Sequence, residues 1–185
     1  MPRPAADAVL VLTSGNRSLI RDRIVQGISH AKRAGRQLAL IYLDIDRFKV
    51  INDTLGHAKG DLLLQQAAAR LQACVRRSDT VARLGGDEFV VMLEDLSSKV
   101  DQALLKTRLV SDKILHALAE PYDLDGLSYR GTCSIGITQF GEQSVGLGTV
   151  LKQADLAMYQ AKAAGRNAAC FLTPPCKRWH RPTQR

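Results

Sequence analysis

Carboxylate side chains follow an apolar run in the first third of this 185-residue chain. Residues 38–43 are almost wholly apolar and bounded by polar residues, which is typical of a β-strand buried on both faces. Asp44 and Asp46 come directly after this run, so two carboxylates lie at the carboxyl end of the predicted strand. Oxygen ligands of this kind suit a hard cation such as Mg²⁺.

A second acidic pair lies in a predicted hairpin. Gly85-Gly86-Asp87-Glu88 separates the apolar runs 80–84 and 89–93, and a short glycine-containing link between such runs predicts a β-hairpin. Where the first strand and the hairpin are neighbours in one sheet, Asp44 and Asp87 lie close enough to bind Mg²⁺ together with water and substrate phosphate oxygens. Taken alone, the same four residues are also typical of a tight turn with solvated acidic side chains.

The remaining elements, which must position these groups, alternate between helix and strand. Amphipathic spacing predicts helices at 16–34, 48–52, 60–75, 103–118 and 150–163, and apolar runs predict further strands at 122–124, 128–140 and 168–172. With the hairpin in the middle, the order favours an α+β fold with a split βαβ sheet of the ferredoxin-like kind over a doubly wound Rossmann fold. We expect the helices to pack on one face of this sheet.

Composition and charge exclude several classes of protein. Hydrophobic residues make up 45% of the chain, and no apolar run is long enough to cross a membrane, so we expect one globular core and no membrane contact. The net charge of +8 comes from residues 1–36 and 173–185, which argues against nucleic acid as a partner because the body between them is close to neutral. Four cysteines without metal-ligand spacing are typical of reduced thiols in a cytoplasmic protein.

Several spaced motifs resemble those of the GGDEF-domain family. They are Asp44-Ile45-Asp46-x-Phe48-Lys49-x-Ile51-Asn52-Asp53-x-x-Gly56-His57-x-x-Gly60-Asp61, Arg83-x-Gly85-Gly86-Asp87-Glu88-Phe89, Ser134-Ile135-Gly136-Ile137 and Ala154-Asp155-x-Ala157-x-Tyr159-x-Ala161-Lys162-x-x-Gly165-Arg166-Asn167. The resemblance covers nearly the whole chain. It implies a polymerase-palm-like fold, with a GGDEF domain at 16–172 after an N-terminal segment at 1–15. Pro174 and Pro175 break the pattern of elements, so we expect residues 173–185 to form a basic, disordered tail.

Members of this family are diguanylate cyclases, which join two GTP molecules into cyclic di-GMP and release two pyrophosphates. The resemblance therefore implies a bacterial second-messenger enzyme that depends on Mg²⁺, with Mn²⁺ as the alternative ion. Each domain of the family binds one GTP, so the attacking hydroxyl comes from a second copy and catalysis requires a homodimer. The alternative from another class is a non-catalytic module that binds GTP or cyclic di-GMP and signals through a partner.

The resemblance also implies roles for individual residues. Carried over by position, Asp44, the Ile45 carbonyl and Asp87 hold the metal; Asp87 or Glu88 accepts the proton of the attacking hydroxyl; Asn52 and Asp61 bind guanine; Lys162, Arg166, Lys49 and backbone amides near Phe48 bind the triphosphate; and His57 supports the loop before Asp61 or touches the nucleotide. A carboxylate at Asp61 pairs with guanine N1–H and N2, which adenine lacks, and this disfavours a cyclase that also uses ATP.

The two basic residues of the last motif are predicted to act together. Lys162 and Arg166 are four residues apart near a predicted helix end, so we expect them on one helix face within reach of the same phosphates. Taken alone, they are also typical of a solvated basic helix end.

A second site is indicated by Arg76-Arg77-Ser78-Asp79, five residues before Gly85. This sequence is similar to the R-x-x-D motif at which the family binds its cyclic product and is inhibited. Arg76 can contact phosphate or the O6/N7 edge of guanine, and Asp79 can accept hydrogen bonds from N1–H and N2. Arg108, on the next predicted helix, is a third candidate for this site.

The chain departs from the family at its start. Members open with Asp-x-Leu-Thr-Gly before Asn-Arg, whereas the corresponding positions here include Val9, Val11, Leu12 and Thr13. In the family this block helps to couple the domain to an upstream sensor, so its change bears on regulation and dimer alignment more than on the chemistry. The sequence leaves open whether the chain is a piece of a larger signalling protein.

Overall fold

The structure, a computed structural model, describes residues 11–12, 17–141, 146–172 and 178–179. In chain order these ranges contain β1 (Val11–Leu12), α1 (Arg17–Ala34), β2 (Leu38–Ile45), α2 (Phe48–Leu55), α3 (His57–Cys74), β3 (Thr80–Gly85), β4 (Glu88–Leu93), α4 (Val100–Ala119), β5 (Tyr122–Asp123), β6 (Ser128–Tyr129), β7 (Cys133–Phe140), α5 (Leu147–Ala163), β8 (Ala168–Phe171) and β9 (Arg178–Trp179). None of the helices within these ranges is long and apolar enough to cross a membrane.

Seven of the strands form one sheet, in the order β1-β3-β4-β2-β7-β8-β9. The central strand β2 pairs antiparallel with both β4 and β7, whereas β1 pairs parallel with β3 and β7 pairs parallel with β8. Strands β3 and β4 form the predicted hairpin, which therefore lies beside β2. The predicted α+β fold with a mostly antiparallel central sheet is confirmed.

Helices cover both faces of this sheet, so the expectation that they pack on one face is wrong. Alternate residues of β2 point to two different cores: Ile41 packs with α3 and α4, and Leu40 packs with α1 and α5. The cause is visible in the sequence, because a strand apolar at nearly every position needs a covering layer on each side. Seven of the eight residues of β2 are buried.

Helix α5 packs directly against β7, and a glycine makes this contact close. A Cβ atom built at Gly136 on β7 would collide with the backbone of Ala154 and Met158 on α5. Since backbone atoms cannot swing aside as a long side chain can, no larger residue fits without moving the helix. The position of α5 matters for the site because Lys162 lies in its last turn.

Most predicted helices begin or end a few residues from their observed bounds, and three segments differ by more than that. The predicted strand 128–140 is divided, because β6 pairs with β5 in a separate hairpin and only β7 joins the main sheet. In the predicted N-terminal segment, Val11–Leu12 pair with Val81–Ala82 of β3. In the tail, for which we expect no fixed structure, Arg178–Trp179 pair with β8, and the tail residues 173–177 and 180–185 lie outside the described residues.

We predict that Gly136→Ala lowers the free energy of unfolding by about 1–3 kcal/mol or more, because the methyl group overpacks the contact between β7 and α5. The matched control is Gly148→Ala in α5, where a Cβ would meet nothing within 4 Å. This control should leave stability unchanged or raise it by up to about 1 kcal/mol through helix propensity. Urea denaturation of the three proteins measures both effects, and equal midpoints would contradict the account.

Candidate active site

The carboxyl end of β2 and the tip of the β3–β4 hairpin lie side by side. Asp44 lies opposite Glu88 in the register of β2 and β4, and the Ile45 N–H donates a hydrogen bond of 3.2 Å to the carbonyl oxygen of Asp87. The negative charge of Asp87 also acts on the carboxyl group of Asp44. The sheet therefore brings together the two acidic groups that the sequence analysis expected to meet.

Helix α5 adds a positive charge to this pair. The Lys162 Nζ lies 2.8 Å from the Asp44 Oδ2, and the two side chains are 29% and 10% exposed. Burial is the largest influence on the Asp44 carboxyl and raises its pKa to about 6, with the charge of Asp87 adding to the increase and the hydrogen bond from Lys162 opposing it. A buried carboxylate beside a second carboxylate favours a bound cation, and here Lys162 provides one.

Tyr42 is a member of this site that the sequence analysis did not single out. It lies on β2 two residues before Asp44, and burial, together with the charge and hydrogen bond of Glu88, raises the pKa of its phenol. Two-residue spacing on a strand places Tyr42 and Asp44 on the same face of the sheet. In the sequence, Tyr42 differs from its neighbours in the apolar run 38–43 by its phenol hydroxyl, and this was the feature that could have indicated its role.

Asp46 has a different environment from Asp44. Its carboxylate is buried and accepts hydrogen bonds from the hydroxyls of Thr132 and Ser134, each 2.7 Å long, and from the N–H of Asn167 at 3.2 Å. These bonds tie the end of β2 to β7 and to the turn after α5. Asp46 therefore has a structural role at the end of β2, and Asp44 is the carboxylate that lies beside the hairpin.

The start of α2 follows directly after Asp46 and contains Phe48 and Lys49, which the sequence analysis expects to lie near the triphosphate. Its N-cap residue, Arg47, has φ 59° and supplies no side-chain hydrogen bond to the helix. The leading N–H groups, including those near Phe48 and Lys49, therefore lack the side-chain partner that usually caps a helix. Phe48 is buried, which anchors the first turn, and Lys49 is exposed. Amides in this arrangement commonly bind phosphate.

The residues predicted to bind guanine lie where α2 meets α3. The side chain of Asn52 lies over Gly60, where a Cβ would collide with its Oδ1, and that oxygen is buried without a hydrogen-bond partner. The next residue, Asp61, is exposed and borders a cavity of about 520 Å³ together with Leu64, Arg83 and Phe89. The oxygens of Asn52 and Asp61 are hydrogen-bond acceptors, which suit a ligand edge rich in N–H donors, although Asn52 is not among the residues that line this cavity. His57 is exposed in the first turn of α3.

The expectation that Lys162 and Arg166 share a helix face is wrong. Helix α5 ends at Ala163, and Gly165 has φ 114°, so the chain turns before it reaches Arg166. The Arg166 N–H closes this turn by donating to the carbonyl oxygen of Ala161 at 3.1 Å. Lys162 thus faces Asp44 from the helix, whereas Arg166 is presented from the turn that follows.

Comparison with known proteins gives a family match for most of the chain. The family described as "Diguanylate cyclase, GGDEF domain" matches residues 12–168. The chain belongs to this family.

Relatives of the GGDEF domain carry different names. It is 41% identical over 157 residues to the bifunctional diguanylate cyclase/cyclic di-GMP phosphodiesterase MucR of Pseudomonas aeruginosa. The aligned region covers 85% of this chain and 22% of MucR. It is 39% identical to the cyclic di-GMP phosphodiesterase NbdA of the same species, over 85% of this chain and 19% of NbdA. It is also 39% identical to the diguanylate cyclase TpbB of that species, over 83% of this chain and 34% of TpbB. The chain thus spans between 19% and 34% of the length of these relatives.

Solved structures support the same fold. The structure of the GGDEF domain of TpbB matches with a TM-score of 0.80 and 35% identity, covering 89% of this chain and 92% of that one. An EAL/GGDEF domain protein from M. capsulatus matches with a TM-score of 0.70 and 40% identity, over 86% of this chain and 99% of that one. The palm-like fold of the GGDEF domain is therefore confirmed.

The motif predicted to bind the product lies at a separate place, between α3 and α4. Asp79 is buried and accepts hydrogen bonds from the N–H groups of Arg76, at 2.8 Å, and Glu94, at 3.1 Å. Burial raises the pKa of Asp79, and these two bonds oppose the increase. Asp79 and the exposed Arg76 border a cavity of about 320 Å³, to which α4 contributes Lys106 and Lys113.

Arg108 is not brought to this cavity. It lies on α4 with its guanidinium 5.5 Å from the centre of the Phe171 ring, and it is absent from the residues that line the cavity between α3 and α4. The basic groups that α4 does place there are Lys106 and Lys113, which the sequence analysis missed because they belong to no motif.

We predict that, when no divalent cation is present, the contribution of Asp44 to the free energy of unfolding depends on pH. Its pKa is raised in the folded protein from 3.8 to about 6, so its stabilising contribution is complete below pH 4 and is lost as the pH rises to about 6. Relative to the parent protein, Asp44→Asn should therefore gain about 2–3 kcal/mol of unfolding free energy across this interval. Urea denaturation at pH 4 and pH 7 measures the change, and a difference that is the same at both values would contradict it.

Proposed function

We propose that this GGDEF domain is a diguanylate cyclase that condenses two GTP molecules into cyclic di-GMP and two pyrophosphates, across a homodimer. The observation that carries the proposal is the convergence of Asp44, Lys162 and the Asp87-Glu88 hairpin at one end of the sheet. Acidic and basic groups meet there beside a helix N-terminus suited to phosphate. A turn with solvated carboxylates would not need a buried acid paired with a lysine from a distant helix.

Guanine is the base that the site suits. The unpaired Asn52 Oδ1 and the Asp61 carboxylate are both acceptors, and guanine offers N1–H and N2–H donors where adenine has none. A site that pairs with such donors rejects an analogue lacking them, because its own acceptors are then left unsatisfied. The close contact of Asn52 with Gly60 holds the amide in position before the ligand arrives.

A divalent metal fits the donor set beside it. Asp44, Asp87 and the Ile45 carbonyl offer hard oxygen ligands, and the described residues contain no cluster of three or more His, Cys, Asp or Glu side chains that could bind the metal unaided. The remaining ligands would therefore be water and phosphate oxygens, as Mg²⁺ prefers, with Mn²⁺ as the alternative. When bound, the metal would polarise the α-phosphate and lower the pKa of the attacking 3′-hydroxyl.

In each transfer, residues of this chain would bind the phosphates and accept the proton of the attacking 3′-hydroxyl. The 3′-oxygen of one GTP forms a bond to the α-phosphorus of the other, the bond to the β-phosphate oxygen breaks, and pyrophosphate leaves. We assign the released proton to Glu88, which the Tyr42 phenol holds by a hydrogen bond, since Asp87 acts on Asp44 and belongs with the metal ligands. Lys162, Arg166, Lys49 and the first amides of α2 bind the phosphates.

The homodimer follows from the product. Cyclic di-GMP contains two equivalent phosphodiester bonds, and one domain supplies one set of these residues, so two copies must face each other with one GTP each. We further propose that the cavity bordered by Arg76 and Asp79 binds the cyclic product and slows the enzyme. The second candidate function is a binding module without catalysis. The similarity to a relative that is named as a phosphodiesterase, and not as a cyclase, favours keeping this alternative.

Product analysis tests the proposal. The purified chain is incubated with GTP and Mg²⁺ at several protein concentrations, and the products are separated by chromatography. We expect cyclic di-GMP to form with more than first-order dependence on protein, and Glu88→Gln to lower the rate at least about 100-fold. Absence of product at every concentration, with cyclic di-GMP still bound by the chain, would establish the binding module instead.

We predict that Asp61→Ser weakens the preference for GTP over ATP by about tenfold or more, because it removes an acceptor for guanine N1–H and N2–H. The measurement is the ratio of kcat/KM for the two nucleotides. Asp53→Ser, an exposed position on α2, is the matched control and should leave the ratio unchanged. An unaltered ratio in Asp61→Ser would remove this residue from base recognition.

We predict that Arg76→Ala relieves inhibition by cyclic di-GMP without lowering the initial rate. A guanidinium contact to phosphate or guanine is worth about 1.5–3 kcal/mol, so the inhibition constant should rise by about tenfold or more. Arg77→Ala, at the neighbouring exposed residue outside the cavity, is the control. Inhibition that persists in Arg76→Ala would place the product elsewhere.

A further inference from the structure

A cavity of about 750 Å³ lies between α2, the β5–β6 hairpin and the turn from α5 to β8. Its walls combine apolar side chains, such as Val50 and Leu127, with three arginines, Arg47, Arg130 and Arg166. Arg47 is the N-cap residue of α2, Arg130 follows directly after β6, and Arg166 lies in the turn from α5 to β8. Arg166 is a specified residue of a family motif, whereas Arg47 occupies an unspecified position between Asp46 and Phe48 and Arg130 lies outside the motifs.

The cavity is positively charged. Its one acidic lining residue is Asp46, whose two carboxylate oxygens already accept hydrogen bonds from Thr132, Ser134 and Asn167. Among the described residues, no ion pair neutralises any of the three arginines. Arginine clusters without acidic partners bind phosphate groups, because each planar guanidinium can donate two parallel hydrogen bonds.

The backbone around the cavity is held in unusual conformations. Arg47, Arg166 and Asn167 have φ values of 59°, 65° and 46°, and they are three of the five non-glycine residues with positive φ in the described part of the chain. Such conformations cost free energy and persist where the surrounding structure imposes them. Here they set two of the three arginines at the rim of one cavity.

The cavity also adjoins the place where the substrate phosphates would lie. Arg166 borders it, Lys162 one turn earlier holds Asp44, and Arg47 is the N-cap of the helix whose amides would bind phosphate. We propose that this cavity binds pyrophosphate, with Arg47 and Arg130 holding the diphosphate together with Arg166. The proposal rests on the proposed function, which supplies pyrophosphate as the leaving group. The volume exceeds that of the anion and leaves room for its hydration water.

Isothermal titration calorimetry with sodium pyrophosphate tests the site without any turnover. We expect the parent chain to bind pyrophosphate, and Arg130→Ala to weaken this binding about tenfold or more through loss of a charge-assisted contact. Arg33→Ala, an exposed arginine on α1, removes the same charge elsewhere and should change the affinity less than twofold. Inorganic phosphate should bind the parent about tenfold more weakly than pyrophosphate, because it reaches fewer guanidinium groups.

Three outcomes would overturn the site: no binding by the parent, an affinity unchanged in Arg130→Ala, or equal affinities for phosphate and pyrophosphate. Thermal unfolding of Arg130→Ala checks that the variant folds, as its exposed position leads us to expect. The result is separable from the proposed function. If Arg130→Ala weakens pyrophosphate binding but the chain makes no cyclic di-GMP from GTP, the pyrophosphate site is supported and the proposed cyclase activity is wrong. If the chain makes cyclic di-GMP but Arg130→Ala leaves pyrophosphate binding unchanged, the cyclase activity is supported and the pyrophosphate site is wrong.

Discussion

The contact between the buried Asp44 carboxylate and the Lys162 ammonium is the interaction on which the rest of the site depends. Burial and the nearby charge of Asp87 disfavour an ionised Asp44, so the acid can be kept at this position only where a positive charge lies against it. That charge comes from the last turn of α5. The placement of α5 on the sheet, which its buried apolar face sets, therefore also determines the electrostatics of this carboxylate.

The packing of the domain fixes this contact from both sides. Gly136 lets α5 approach β7 until their backbones touch, and Ala154 and Ala157 on the facing side of the helix add little bulk. On the opposite face of the sheet, α3 and α4 cover the other residues of β2 and hold its register with β4. Because both layers pack on the same central strand, the acid, the lysine and the hairpin occupy fixed positions without direct bonds between the layers.

Much of this could be predicted from the sequence, and the reasons for the misses are physical. The apolar run before Asp44 and the glycines before Asp87 indicated two strands ending at one place, because strand burial and turn chemistry are local properties. The separation of Lys162 from Arg166 was missed because spacing alone does not show where a helix ends. Tyr42 and Arg130 were missed because their partners are brought near only by the fold.

The Asp44–Lys162 pair also bears on how the proposed substrates bind. Lys162 contacts the Oδ2 of Asp44, so a cation that approaches this carboxylate meets the positive charge of the ammonium, and a phosphate that approaches the ammonium meets the negative charge of the carboxylate. A metal-bound GTP satisfies both groups together, since it brings a cation for the carboxylate and an anion for the ammonium. Either component alone would meet a charge of its own sign at the other member of the pair. In the proposed cyclase the pair would therefore couple metal and nucleotide binding, with each lowering the cost of admitting the other.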